Sequence, residues 1–203
     1  MKHRRRPARR SAARAVGVVA LLVATLMTGR ALDRVLPAAD DAARGFERSG
    51  VVGEQLRLRY GTVEAGRPEG STQIVTAGGT YLSTGVYVVV PVTFTAAHEP
   101  QSLSYAAIRD ATGRVFEAGT QRNPFSMDGP AQPGVPRHTQ VAVELPVDAV
   151  AGAQLVLALQ PDDDNHRRDD VAVIDLGLTG ADAQRWAAEE EGIRVRPATE
   201  GRG

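Results

Sequence analysis

The pattern of apolar and polar positions changes character along the chain. Residues 2–14 are basic and polar, and residues 15–29 read AVGVVALLVATLMTG without a charge. Residues 31–50 are rich in Ala, Asp and Arg, with Pro37 and Gly45 interrupting any helix. From Val51 the dominant period becomes two. Leu56, Leu58 and Tyr60 alternate with Arg57 and Arg59, as in a strand with one face in a core. Residues 72–76 form a short second candidate. Residues 87–95 carry the clearest signal: Val88, Val90, Val92 and Phe94 share one face, and Tyr87, Val89, Thr93 and Thr95 the other. Pro91 lacks an amide hydrogen, which predicts a sheet edge or a bulge at that point.

Further strands are predicted over 103–109, 114–118, 139–145, 155–159 and 171–178, separated by turn signals such as Asp110-Ala111-Thr112-Gly113. The set amounts to about eight short strands divided by Gly, Pro and Asp, the pattern of an all-β sandwich. Helix signals come at the end. Asp182 is placed to cap residues 183–191, and Gly192 to stop them. Residues 193–203 read as a disordered tail. The expected organisation is therefore a basic segment 1–14, an apolar segment 15–30, a linker 31–50, a sandwich 51–180, and a short helix with a tail over 181–203.

Charge sharpens this picture. The chain balances 24 Lys and Arg against 24 Asp and Glu. Residues 1–30 hold eight of the basic residues and no acid, so residues 31–203 keep 16 basic and 24 acidic residues, a net of −8. An acidic body excludes a general nucleic-acid-binding role, which needs a basic face. The basic start followed by an apolar run fits an uncleaved signal anchor, a transmembrane helix of about 22 Å that Arg14 and Arg30 extend by snorkelling. A cleaved signal peptide fits the same features, with Gly29-Arg30-Ala31 as its small-x-small site. A buried core helix would leave the arginines without a structural reason. In the first two cases the N-terminus is cytoplasmic and the folded part extracytoplasmic, tethered to the membrane or secreted.

The candidate chemistry is sparse. No cysteine occurs, which excludes disulfides, thiolate metal sites and a lipid-modified cysteine anchor. His3, His98, His138 and His166 show no metal-ligand spacing, and no phosphate-binding loop is present. Asp162, Asp164 and Asp169 belong to a carboxylate-rich stretch whose oxygens suit calcium. The stretch lacks the order of an EF-hand loop and is interrupted by Arg167 and Arg168, so a solvated hairpin loop is the preferred reading. Ser126, Asp128 and His138 supply the residue types of a hydrolytic triad, without a nucleophile motif around Ser126. No catalytic residue and no cofactor is assigned. The irregular stretch 121–137 is long for a compact domain, which marks it as a binding surface. Within it Phe125 and Met127 either cover the edge of the core or anchor a partner; Trp186 either staples the terminal helix or joins an interface.

Several stretches resemble the immunoglobulin-like domains of exported proteins of Gram-positive bacteria, the DUF4352 or telokin-like group. They are Val52-Gly53-Glu54, YVVVPVTFTA, the hairpin IRDATGRVFEAG, then VAVELP and LVLAL. The polar turn after the long strand, Ala96 to Pro100, departs from the asparagine-rich turn of that group. The resemblance implies an immunoglobulin-like sandwich serving as a binding module. The expected role is a membrane-tethered assembly or binding component with a protein partner in the cell envelope, for example an accessory subunit of a transport or secretion system. The alternative is an exported hydrolase with a loop-built site.

Overall fold

The computed structural model describes residues 45–159 and 169–201. Two sheets pack face to face as a β-sandwich. The first contains β1 (Phe46–Val51), β10 (Asp170–Asp175), β9 (Gln154–Ala158), β6 (Tyr105–Arg109) and β7 (Val115–Glu117), in that spatial order. The second runs β11 (Ile193–Arg194), β4 (Glu69–Thr76), β5 (Gly79–Ala96), β3 (Gly61–Ala65), β2 (Gln55–Leu58). Its β8 (Arg137–Leu145) pairs with the other side of β5, and β12 (Thr199–Glu200) with β8.

The core is made by the inward rows of both sheets. Val88, Val90, Val92 and Phe94 are all buried, as their alternation predicts, and they meet Ile108, Leu155, Leu157 and Ile174 from the opposite sheet. Pro91 sits neither at an edge nor in a bulge. It pairs with Gln140 of β8, while the other side of β5 changes partner from β4 (Glu69↔Val89) to β3 (Ala65↔Val92). The Pro91 carbonyl accepts from the Gly66 amide in that gap (2.7 Å). Its nitrogen faces the same gap, where no ladder acceptor waits for a proton.

The described residues form twelve strands, and several boundaries differ from the sequence expectation: β3 has no counterpart there, β4 begins at Glu69 rather than 72, and β5 begins at Gly79 rather than 87. Residues 46–50, read as the end of a linker, belong to β1. Phe46–Val51 pairs in parallel with β10 and has almost no buried residue of its own, so its order derives from the ladder rather than from alternation. Residues 193–201 are ordered rather than a free tail: β11 pairs with β4 and β12 with β8. The helix α1 spans Gly180–Ala187, and Thr179 caps it. Thr179 Oγ1 accepts from the Asp182 amide while Asp182 accepts from the Thr179 amide, a capping box in which Asp182 is the third helical residue, not the cap. No described helix is long and apolar enough to cross a membrane. The apolar run 15–29 lies outside the described residues.

Trp186 on α1 is buried against the sandwich. It fits because β4 presents Gly70 there; a β-carbon at that position would overlap the indole ring. Deleting a core aromatic side chain typically removes about 3–5 kcal/mol. Phe94→Ala and Trp186→Ala should each lower stability in that range in denaturant titrations, and Gly70→Ala should destabilise by displacing the same indole. A melting temperature within a degree or two of the parent, on the order of the experimental scatter, would show that these residues do not hold the core.

The β6–β7 turn is organised by Asp110. Its carboxylate accepts from Thr112 N (2.8 Å), Thr112 Oγ1 (2.7 Å), Arg114 N (2.9 Å) and Arg114 Nε (2.5 Å). Burial works to raise its pKa, but the bonds from Thr112 and Arg114 win and hold the carboxyl below the usual range. A folded-state pKa below the unfolded one stabilises fully above about pH 4, and the contribution fades as pH falls through the folded value. Asp110→Asn should therefore melt lower than the parent at neutral pH and flatten the acid side of the stability curve. Parallel curves for the two proteins would refute this role.

Candidate functional site

The long irregular segment between β7 and β8 does not project freely. It runs along the open edge of β8, where an edge strand has backbone groups to satisfy. The Ala142 amide donates to Pro124 O (3.0 Å), the Glu144 amide to Asn123 Oδ1 (2.9 Å), and Thr139 Oγ1 to Ser126 O (2.6 Å). The buried Arg137 reaches back to donate to Met127 O and to Asp128 O (2.6 Å), and pairs with Glu200 (2.5 Å). Met127 is thereby drawn inside and is 3% exposed.

The binding residues expected from sequence separate on this geometry. Met127 and Trp186 are core residues. Phe125 packs against the core but stays half-buried. Asp162 and Asp164 lie outside the described residues. Asp169 is bound by Arg59 through Nη2 (2.7 Å) and Nε (3.1 Å), and no metal-holding cluster of acids and histidines is found among the described residues.

Ser126, Asp128 and His138 are near in sequence but are not arranged as a triad. Ser126 Oγ donates directly to Asp128 Oδ1 (2.7 Å). His138 Nε2 lies 2.9 Å from Gly201 O, a carbonyl that only accepts, so Nε2 carries the proton and Nδ1 accepts from Thr93 Oγ1 (3.0 Å). The imidazole thus fastens the C-terminal segment to β5. Asp128 does the same from the loop side: its Oδ2 accepts from Ala198 N (3.0 Å). It is the one non-glycine with positive φ among the described residues (49°), a conformation Asp tolerates. The Ser126 hydroxyl and the Ala198 amide hold its carboxyl below the usual range.

Residues 193–201 form a strap over the outer face of the second sheet. Ile193 and Val195 pack on a small second core of Ile74, Tyr87, Val89 and Ala142. The Arg196 amide donates to Gln140 Oε1 (2.7 Å) and the Gly201 amide to Pro136 O (3.0 Å). Strap, loop and the β4–β5 turn enclose an open groove of about 530 Å³, whose walls include Tyr81, Gln121, Pro124, Phe125, Arg196 and Pro197. Sequence reasoning found the loop and Phe125. It missed Tyr81 and Arg196, which reach the groove from the start of β5 and from a segment read as disordered. The exposed side chains of Gln121 and Arg196 have no partner among the described residues. The groove therefore offers aromatic and proline rings, an amide and a guanidinium, while its carboxylate is already satisfied.

The Asp128 latch carries a pH signature. Ser126 contributes most to the lowering of the Asp128 pKa, but the part that comes from the Ala198 amide favours the closed strap above about pH 4, and that preference fades on acidification. Asp128→Asn preserves the shape and the left-handed backbone but removes the charge. It should speed hydrogen exchange of residues 193–201 at neutral pH and abolish their acid-induced loosening, measured after correction for intrinsic exchange. An unchanged strap profile would disprove the latch.

No family model and no curated protein matches the chain. Among solved structures it is similar to the yjhA protein of Bacillus subtilis, at 15% identity and a TM-score of 0.43, over 62% of this chain and 99% of that one. It is also similar to an uncharacterized β-sandwich protein from Clostridium difficile, at 13% identity and a TM-score of 0.41, over 68% of this chain and 99% of that one.

Proposed function

We propose that the chain is a membrane-tethered, extracytoplasmic binding module, an immunoglobulin-like sandwich whose partner surface is the groove between the β4–β5 turn, the β7–β8 loop and the strap. Residues 15–30 would hold it in the membrane with the N-terminus on the cytoplasmic side, and its partner would be a protein of the cell envelope. The observation that carries the reading is the state of the loop. Its backbone is pinned to β8 and Met127 is anchored in the core, yet Phe125 remains half-exposed beside Tyr81 and Arg196. A rigid aromatic on a fixed loop loses little conformational freedom on binding, and aromatics with arginine are the usual anchors of interfaces. The groove's polar groups divide between those already bonded to one another and those free to bind. The likeness of the strand sequences to immunoglobulin-like domains of exported proteins supports the same reading.

The test is Phe125→Ser combined with Arg196→Glu in the full-length membrane protein. Met127 is unsuited to it, because its substitution would open the core. Loss of an aromatic anchor costs about 2 kcal/mol or more, so affinity for partners cross-linked to the parent should fall by about thirty-fold or more. Circular dichroism should stay unchanged. Retention of those partners at parental affinity would move the binding surface elsewhere.

A further inference from the structure

The two sheets part at the edge formed by β1 and β2, and an open cleft of about 600 Å³ lies between them, lined by Phe46, Arg48, Arg57, Leu58, Arg59 and Asp170. Part of this cluster is structural. Asp170, largely buried, accepts from Arg48 Nε (3.0 Å) and from the Arg59 amide (2.7 Å), and Arg59 is held by Asp169. These bonds tie both edge strands to β10. Two members have no such role. Arg57 is exposed with no hydrogen-bond or ion-pair partner among the described residues, and Phe46, which lines the cleft, is 58% exposed. Val51, at the other end of β1, is 55% exposed. The cleft thus joins one exposed aromatic ring to three arginines, two of them paired with Asp170 and the neighbouring Asp169, on a body whose net charge is −8 over residues 31–203.

We infer that this edge rests on the surface of an anionic phospholipid bilayer, with Phe46 among the upper acyl chains and Arg57 on lipid phosphates. An aromatic ring beside arginines is the composition that suits the boundary between headgroups and hydrocarbon. The position suits it as well. β1 opens the sandwich, and residues 30–45 between it and the apolar run can extend at most roughly 55 Å. The acidic remainder of the domain would be repelled by the same surface, which orients the arginine-lined cleft toward it. The inference rests on the reading of residues 15–30 as a retained anchor.

The experiment uses the full-length protein in phosphatidylcholine nanodiscs, with and without phosphatidylglycerol. Hydrogen exchange of peptides spanning residues 46–59 should slow in the anionic discs by about five-fold, the factor expected for one arginine at such a surface. Phe46→Ser with Arg57→Glu should remove that protection while leaving the melting temperature near the parent value, because neither side chain holds the fold. Equal exchange in the two discs would overturn the inference and leave the anchor intact. Equal protection by soluble glycerol phosphate in phosphatidylcholine discs would also overturn it, identifying a pocket for a free anion. Failure of the full-length protein to enter discs would overturn the anchor reading, and this inference with it.

Discussion

β5 has a hydrogen-bonding partner along each side and a hydrophobic layer on each face. One side serves β8 from Val86 to Phe94; the other serves β4 and then β3. The handover falls at Pro91, so the one residue unable to donate stands where the neighbouring strand is interrupted by the turn from β3 to β4. Val88, Val90, Val92 and Phe94 fill the main core, while Tyr87 and Val89 on the reverse face fill the smaller core beneath the strap. A slip of one residue would exchange these two rows and place Thr93 and Thr95 inside. The partner change, the proline and the two unequal faces therefore specify the same register.

A strand with this many obligations produces neighbours with free edges, and the remaining chain is spent covering them. The β7–β8 loop lies along β8 and is locked there by Arg137. The segment after Thr179 covers β4: Trp186 sits over Gly70, Ser71 Oγ donates to the Glu189 and Glu191 carbonyls, and β11 adds a short parallel pairing. The same segment then crosses the outer face and reaches β8 as β12. The groove is where these covering segments meet without closing. It is a by-product of edge protection, which explains why its walls come from three distant parts of the chain.

This division decides what could be read from sequence. Inward rows such as Leu56 and Leu58, or Val141, Val143 and Leu145, were legible because period two needs only one buried face. β1 was not, since FERSGV has no alternation and is ordered by a strand over a hundred residues later. The strap was not, because its order comes from single hydrogen bonds to Asp128, Gln140 and His138 rather than from a pattern. Phe125 and Met127 are two residues apart in an irregular loop, and no periodicity there separates an inner from an outer position. What separates them is Arg137, ten residues beyond Met127, whose guanidinium holds the loop carbonyls and turns Met127 inward. Trp186 had a signal in the chain, the missing side chain at Gly70, but it can be recognised only once β4 and α1 are known to be in contact.

The same reasoning distinguishes among the arginines. Arg48, Arg59, Arg114, Arg122 and Arg137 each pair with a carboxylate from another part of the chain, or from across a turn. Such a pair fixes the relative position of two segments, and although exposed pairs add little stability, the charge is largely spent on its partner. Among the described residues Arg57, Arg67, Arg194 and Arg196 have no such partner, and of these Arg57 and Arg196 each line a cleft beside an exposed or half-exposed phenylalanine. A guanidinium left unpaired on an acidic body keeps its full attraction for an outside anion, and the adjacent ring adds apolar area that water gains by losing. Charge not consumed by the fold, together with an adjacent ring, is thus what the groove and the β1–β2 cleft share.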